Sequence, residues 1–145
     1  MGDVEYYLDN YKAPVFCFSP DSGFPVCNGE KGICNLRIVS KTKLDKIADI
    51  RGGVAGNVIP GKAEAWVKGA KPAPTESVSV EADGELWHLT AKGIGGHASK
   101  PEGTVNAIGV LISYILKNKL AGEEEEKFLR LLMKLHESWD GSGLG

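Results

Sequence analysis

Two runs of alternating apolar residues, separated by an Asp-Gly pair, constrain this chain more than any other feature. Val78, Val80 and Ala82 alternate up to Asp83-Gly84, and Trp87, Leu89 and Ala91 alternate after it. A period of two sends one face of each run into a core, and Asp-Gly between such runs has the chemistry of a two-residue hairpin turn. One buried face demands a cover, and the chain supplies it further on. From Thr104 the period changes, with Ile108, Leu111, Ile112 and Ile115 recurring at helical spacing through Lys119,. Gly122 links this helix to a second one. There Glu123 to Glu126 put negative charge on the first turn, where the peptide dipole favours it, and Phe128, Leu132, Leu135 and Trp139 form an apolar stripe,. Strands followed by helices predict an α+β domain, with helices on one face of a mainly antiparallel sheet.

Upstream, the pattern reads as short extended pieces broken by turns. Pro14 to Phe18, Phe24 to Cys27 and Lys31 to Ser40 are strand candidates, and a charged stretch from Lys41 to Arg51 separates them from a further strand at Ala63, Ala65 and Val67,. Lys71-Pro72-Ala73-Pro74-Thr75 is a loop, since proline removes ladder donors and helix hydrogen bonds alike,. With 17 basic and 19 acidic residues the chain has a net charge of −2, which provides no electropositive field for a nucleic-acid backbone,. No apolar window reaches the roughly 18 residues of a membrane span, and the first residues lack both a basic start and an apolar signal core, so a cytoplasmic location is expected. Cys17, Cys27 and Cys34 are odd in number and contain no CxxC pair, which fits reduced structural thiols,. At the other end, Asp140 to Gly145 has linker composition,.

The chain has 19 glycines among 145 residues, about twice ordinary usage,. They gather in two places, Gly52, Gly53, Gly56 and Gly61, then Gly93, Gly95, Gly96 and Gly103. Such positions mark sharp turns or close approach of backbone. Gly93-x-Gly95-x-x-Ala98 imitates a dinucleotide fingerprint, but Pro101 and Gly103 delay the helix that would have to open straight from the glycine turn,. What stands there instead is His97, an imidazole at the mouth of a glycine-rich loop, able to donate a hydrogen bond to developing negative charge. His88 in a strand and His136 on a helix flank have no second ligand at a useful spacing,. Asp21, in a Ser-Pro-Asp-Ser-Gly turn, would on its own merely bond its own backbone,.

Taken together, four segments resemble the zinc-dependent peptidases of the M20 family, and most closely their Xaa-His dipeptidase branch. They are Phe18-Ser19-Pro20-Asp21-Ser22-Gly23-Phe24-Pro25-Val26, Gly29-Glu30-Lys31-Gly32-Ile33, Gly52-Gly53 with Asn57-Val58-Ile59-Pro60, and Gly93 through His97-Ala98-Ser99-Lys100-Pro101-Glu102-Gly103 into Asn106-Ala107-Ile108. The resemblance implies a catalytic domain with two zinc ions and a smaller ferredoxin-like lid that closes over a dipeptide. Asp21 resembles the carboxylate that binds one of the zincs, His97 the lid histidine that stabilises the tetrahedral oxyanion, and Asn57 a lid residue near the carboxylate end of the substrate. Residues 1–33 then correspond to the end segment of the catalytic domain and 34–145 to the first part of the lid.

The family's other metal ligands, its pair of adjacent glutamates and the substrate-gripping arginine of the later lid have no counterpart here. The chain is therefore expected to be a middle portion of a longer enzyme, folded but inactive alone. Two alternatives follow from the same resemblance: an amino-acid deacylase, and a non-catalytic association module, since lids of this kind also form homodimers.

Overall fold

The computed structural model describes residues 2–16, 37, 39, 41 and 43–138. The chain divides into two compact units, Met1–Ile38 and Val39–Gly145. In the first, the described residues form a helix, α1 (Gly2–Asn10), with Asp3 and Glu5 in its opening turn and no buried side chain. Extended pieces are expected in this part of the sequence, so α1 is a correction: acidic residues favour a helix start even where no apolar stripe announces the helix. Residues 14–16 are not in a strand, and the rest of that expected strand lies outside the described residues. So do the expected strands at 24–27 and 31–40, of which residues 37 and 39 alone are described and carry no regular structure.

The second unit is an α+β domain, as expected. Four strands, β1 (Ile47–Gly52), β3 (Lys62–Val67), β4 (Val78–Asp83) and β5 (Leu86–Lys92), form an antiparallel sheet in the order β1-β3-β5-β4. A separate two-stranded ribbon joins β2 (Val58–Ile59) to β6 (Gly96–His97). Helices α2 (Ala107–Lys117) and α3 (Glu123–Glu137) complete the unit, α2 lying on β3, β4 and β5 and α3 packing on α2. Among the described residues no helix is long and apolar enough to cross a membrane.

The core follows from the periodicities. Ala63, Ala65 and Val67 on β3, Val78 on β4, and Leu89 and Ala91 on β5 are buried against Leu111, Ile112 and Ile115 of α2. Each large side chain of this set contributes roughly 1.5–3 kcal/mol relative to an exposed one. The hairpin forms one residue later than Asp83-Gly84 suggests. Asp83 pairs with Leu86, leaving Gly84 and Glu85 as the two loop residues, because glycine at φ +61° takes the first central position at no steric cost,. Helix α2 also starts later than Thr104. Val105 is held in an extended bridge to Ile94, and the Asn106 side chain caps the helix by accepting the Ile108 N–H at 3.0 Å,.

Two elements depart further from the sequence pattern. The charged stretch contains β1, whose Ile47 and Ile50 both pair with inward-facing residues of β3, Val67 and Ala65. They are three apart because the register shifts between Ile47 and Asp49, and a bulge of this kind erases strand alternation,. On α3 the buried line runs through Glu125 and Leu129, with Leu132 and Met133 packed beside the core, while Leu135 is exposed and Trp139 lies outside the described residues.

Candidate functional site

The two glycine clusters meet in the fold. Val58 pairs with His97 and Ile59 with Gly96, and the ribbon is extended at one end by the Ala98 N–H donating to the Asn57 carbonyl at 2.8 Å. Beyond the other end, the Gly93 N–H donates to the Gly61 carbonyl at 2.9 Å, and the Ala107 N–H to the Pro60 carbonyl at 2.9 Å. Backbone lies on backbone here. A Cβ at Gly61 would come 3.1 Å from the Gly95 nitrogen, and one at Gly95 would come 3.2 Å from the Ile59 carbonyl oxygen. At Gly93 a Cβ would collide with the Val105 carbonyl. Glycine is what lets the segment after β5 and the segment before β3 approach closely enough to pair.

This junction positions two of the expected site residues. Asn57 ends the turn leading into β2 and His97 ends β6, so their backbones are joined through Val58 and Ala98; both residues are exposed. Asp21 lies outside the described residues. An open groove of about 500 Å³ runs beside the ribbon, lined by Val54, Val58, Ile59, Pro60, Lys62 and His97 along with glycines of both clusters. Ile59, Ala98, Pro101, Asn106, Leu135 and His136 line a second hollow of about 560 Å³.

The His97 ring is held by its own turn. Nδ1 lies 3.1 Å from the backbone nitrogen of Ser99 and 2.7 Å from its hydroxyl. A backbone N–H can only donate, so Nδ1 is the acceptor and the ring proton resides on Nε2. Among the described residues no hydrogen bond engages Nε2, and His97 is exposed on the groove beside the ribbon. The turn itself is stiffened by Lys100 N–H to the His97 carbonyl at 3.0 Å, and by Thr104 bonding the Pro101 carbonyl through both its N–H and its hydroxyl.

The other two histidines are engaged elsewhere. His88 stacks on Trp66 with ring centres 4.4 Å apart and places Nε2 3.0 Å from Glu64, which Lys62 also contacts at 2.9 Å. The hydrogen bond from Lys62 is the largest influence on Glu64 and helps hold its carboxyl below the ordinary range,. His136 occupies the space left by the missing side chain of Gly109 on α2. One of the four glutamates expected in the first turn of α3 is buried. Glu125 accepts the N–H groups of Asp45 and Ile47 on one carboxylate oxygen, and those of Lys46 and Gly122 on the other. Burial opposes its ionisation, but the four donors prevail and its carboxyl is lowered from the usual value,. The signal available for it was a glutamate three residues after the N-cap Gly122, the half of a capping box in which the side chain reaches back to the N-cap N–H,.

Known proteins resemble this chain over almost its whole length. A β-Ala-Xaa dipeptidase of Lactobacillus delbrueckii subsp. lactis is 32% identical over 159 residues, an alignment covering 98% of this chain and 34% of that enzyme. YtjP of Bacillus subtilis (strain 168), whose name assigns it provisionally to the dipeptidases, is 25% identical over 147 residues, covering 89% of this chain and 32% of its own length. The chain thus spans about a third of the length of these curated relatives. No family model matches it.

Proposed function

We propose that this chain, a relative of the M20-type dipeptidases over about a third of their length, forms the substrate-facing lid portion of a dipeptide hydrolase. Residues 1–33 are the end of its catalytic segment and 34–145 the first part of its lid. The reading is carried by the β2–β6 ribbon, which joins Asn57 to His97 and leaves the Nε2–H of His97 uncommitted. As water adds to the scissile carbonyl, its oxygen becomes an oxyanion. A neutral imidazole that donates to that oxygen binds the transition state more tightly than the ground state, without a proton having to change hands. Asn57, one strand away, serves the carboxylate end of the dipeptide.

Two zinc ions belong to this proposal through the resemblance, with Asp21 as a ligand to one of them. The described residues do not themselves fit a metal centre: no group of three or more His, Cys, Asp or Glu is gathered among them. One close pair, His88 and Glu64, is already joined by a hydrogen bond. The remaining ligands are therefore assigned to other segments of the enzyme, and His97 is assigned the side of the substrate away from them.

The test is kinetic. In an enzyme carrying the complete site, His97→Ala is expected to lower kcat for a dipeptide by about a hundredfold or more, with bound metal unchanged. Unchanged turnover overturns the role of His97. Residues 1–145 alone are expected to be inactive, and chelator-sensitive, zinc-restored dipeptide hydrolysis by them would overturn the assignment of ligands to other segments.

A further inference from the structure

We infer that Val58 is a specificity-determining residue, forming the wall against which an apolar side chain on the C-terminal residue of the dipeptide packs. The inference rests on the roles proposed for His97 and Asn57, but its readout, a ratio between substrates, is separate from theirs. In the β2–β6 ribbon Val58 is paired directly with His97. Residues opposite each other in an antiparallel pair project to the same face, with Cβ atoms about 4.5–5.5 Å apart. The second pair of the ribbon, Ile59 with Gly96, alternates to the other face,. Val58 is therefore the side chain that the ribbon sets beside the imidazole, and both line the groove of about 500 Å³.

The surroundings of Val58 are apolar or bare. Val54 and Pro60 line the same groove, and glycines of both clusters add backbone without side chains. Lys62 is the charged residue of the lining, and its ammonium is already paired with Glu64 at 2.9 Å. Val54 is 92% and Val58 38% exposed, so neither belongs to the core, and their apolar surface is covered only when a ligand lies on it,. The direction of the dipeptide decides which of its residues does so. With the scissile carbonyl at His97 and the terminal carboxylate at Asn57, the segment between them is the C-terminal residue. Val58 adjoins both positions, since it follows Asn57 in the chain and faces His97 across the ribbon. An apolar side chain there buries methyl groups against Val58. A hydroxyl or a carboxylate loses water without gaining a partner, because Lys62 is engaged by Glu64,.

The experiment compares kcat/KM for two pairs of dipeptides in an enzyme carrying the complete site. Ala-Leu and Ala-Ser differ at the C-terminal residue, and Leu-Ala and Ser-Ala at the other. An enclosing pocket discriminates about 10–200-fold per methylene, and an open groove with one wall gives less. Val58→Ala and the isosteric Val58→Thr should each lower the Ala-Leu to Ala-Ser ratio by about fivefold and leave the Leu-Ala to Ser-Ala ratio unchanged. Val105→Ala, which shortens an exposed valine outside the groove, should move neither ratio. The inference is overturned if the first ratio holds in either Val58 variant, if the second shifts as much as the first, or if Val105→Ala produces the same change. His97→Ala separates this outcome from that of the proposed function. Intact turnover in His97→Ala beside the stated fall in the Val58 variants defeats the role of His97 and keeps the contact with Val58. The expected loss in His97→Ala beside an unchanged ratio defeats the contact alone.

Discussion

Replacing Glu125 by alanine should cost this chain more stability than any substitution at its candidate site. The side chain is 7% exposed and its two oxygens collect four backbone N–H groups, three from residues 45–47 at the entrance to β1 and one from Gly122 at the start of α3. An orphaned buried donor costs about 1–3 kcal/mol, but the four share one cavity that water can partly refill, so the sum is not additive. A loss of about 3 kcal/mol is expected, a large share of the roughly 5–15 kcal/mol typical of a domain. Urea unfolding followed by the fluorescence of Trp66 and Trp87, both on the sheet, measures it. Glu125→Gln keeps one oxygen and turns its NH2 toward two donors, for a loss of about 2 kcal/mol. The pH dependence has a definite sign. Because the folded carboxyl is lowered from 4.5, its contribution is complete above that value and is lost as pH falls through the folded one,. The acid-side slope of wild type should therefore exceed that of Glu125→Gln. A Glu125→Ala variant within 0.5 kcal/mol of wild type, or identical acid slopes in wild type and Glu125→Gln, would refute the account of Glu125 as the tie between β1 and α3.

Glycine should be required where backbones touch and dispensable where they do not. Gly93→Ala, which drives a Cβ into the Val105 carbonyl, should lose about 2 kcal/mol or more in thermal or urea unfolding, whereas Gly56→Ala, with nothing within 4 Å, should stay within about 0.5 kcal/mol,. Tyr114 is 6% exposed and donates its hydroxyl to the Ala73 carbonyl at 2.6 Å, so Tyr114→Phe should lose about 1 kcal/mol at neutral pH,. Burial raises the Tyr114 hydroxyl above its ordinary value of 10.0. Its contribution is thus complete below pH 10 and declines as pH rises beyond it, a decline that Tyr114→Phe should lack in alkaline unfolding curves,.

How far such features can be read from a sequence depends on whether their cause is local. The β4–β5 hairpin and α2 are written in their own periodicities, and the errors there, one residue at Gly84 and three at Ala107, come from turn and cap geometry. Strand β1 is hidden in the sequence because its bulge puts Ile47 and Ile50 on one face three residues apart, a spacing that breaks strand alternation and matches the helix template instead,. The first-turn position of Glu125 is legible, but its burial is not, because its partners Asp45, Lys46 and Ile47 lie at the distant entrance to β1, which no local pattern announces. The candidate site shows both sides of this division. Each glycine cluster stands out by composition, but nothing in either segment says that the other is its partner. The pairing is set by the sheet, which brings the end of β5 beside the start of β3 through the Lys62–Lys92 register, so that Gly61 and Gly93 meet just past it. From there the ribbon follows, since each chain leaving the sheet finds the other within hydrogen-bonding distance. Asn57 and His97 are thus coupled through main-chain bonds rather than side-chain contact. A displacement of β6 that preserves the ribbon must therefore carry Asn57 with it.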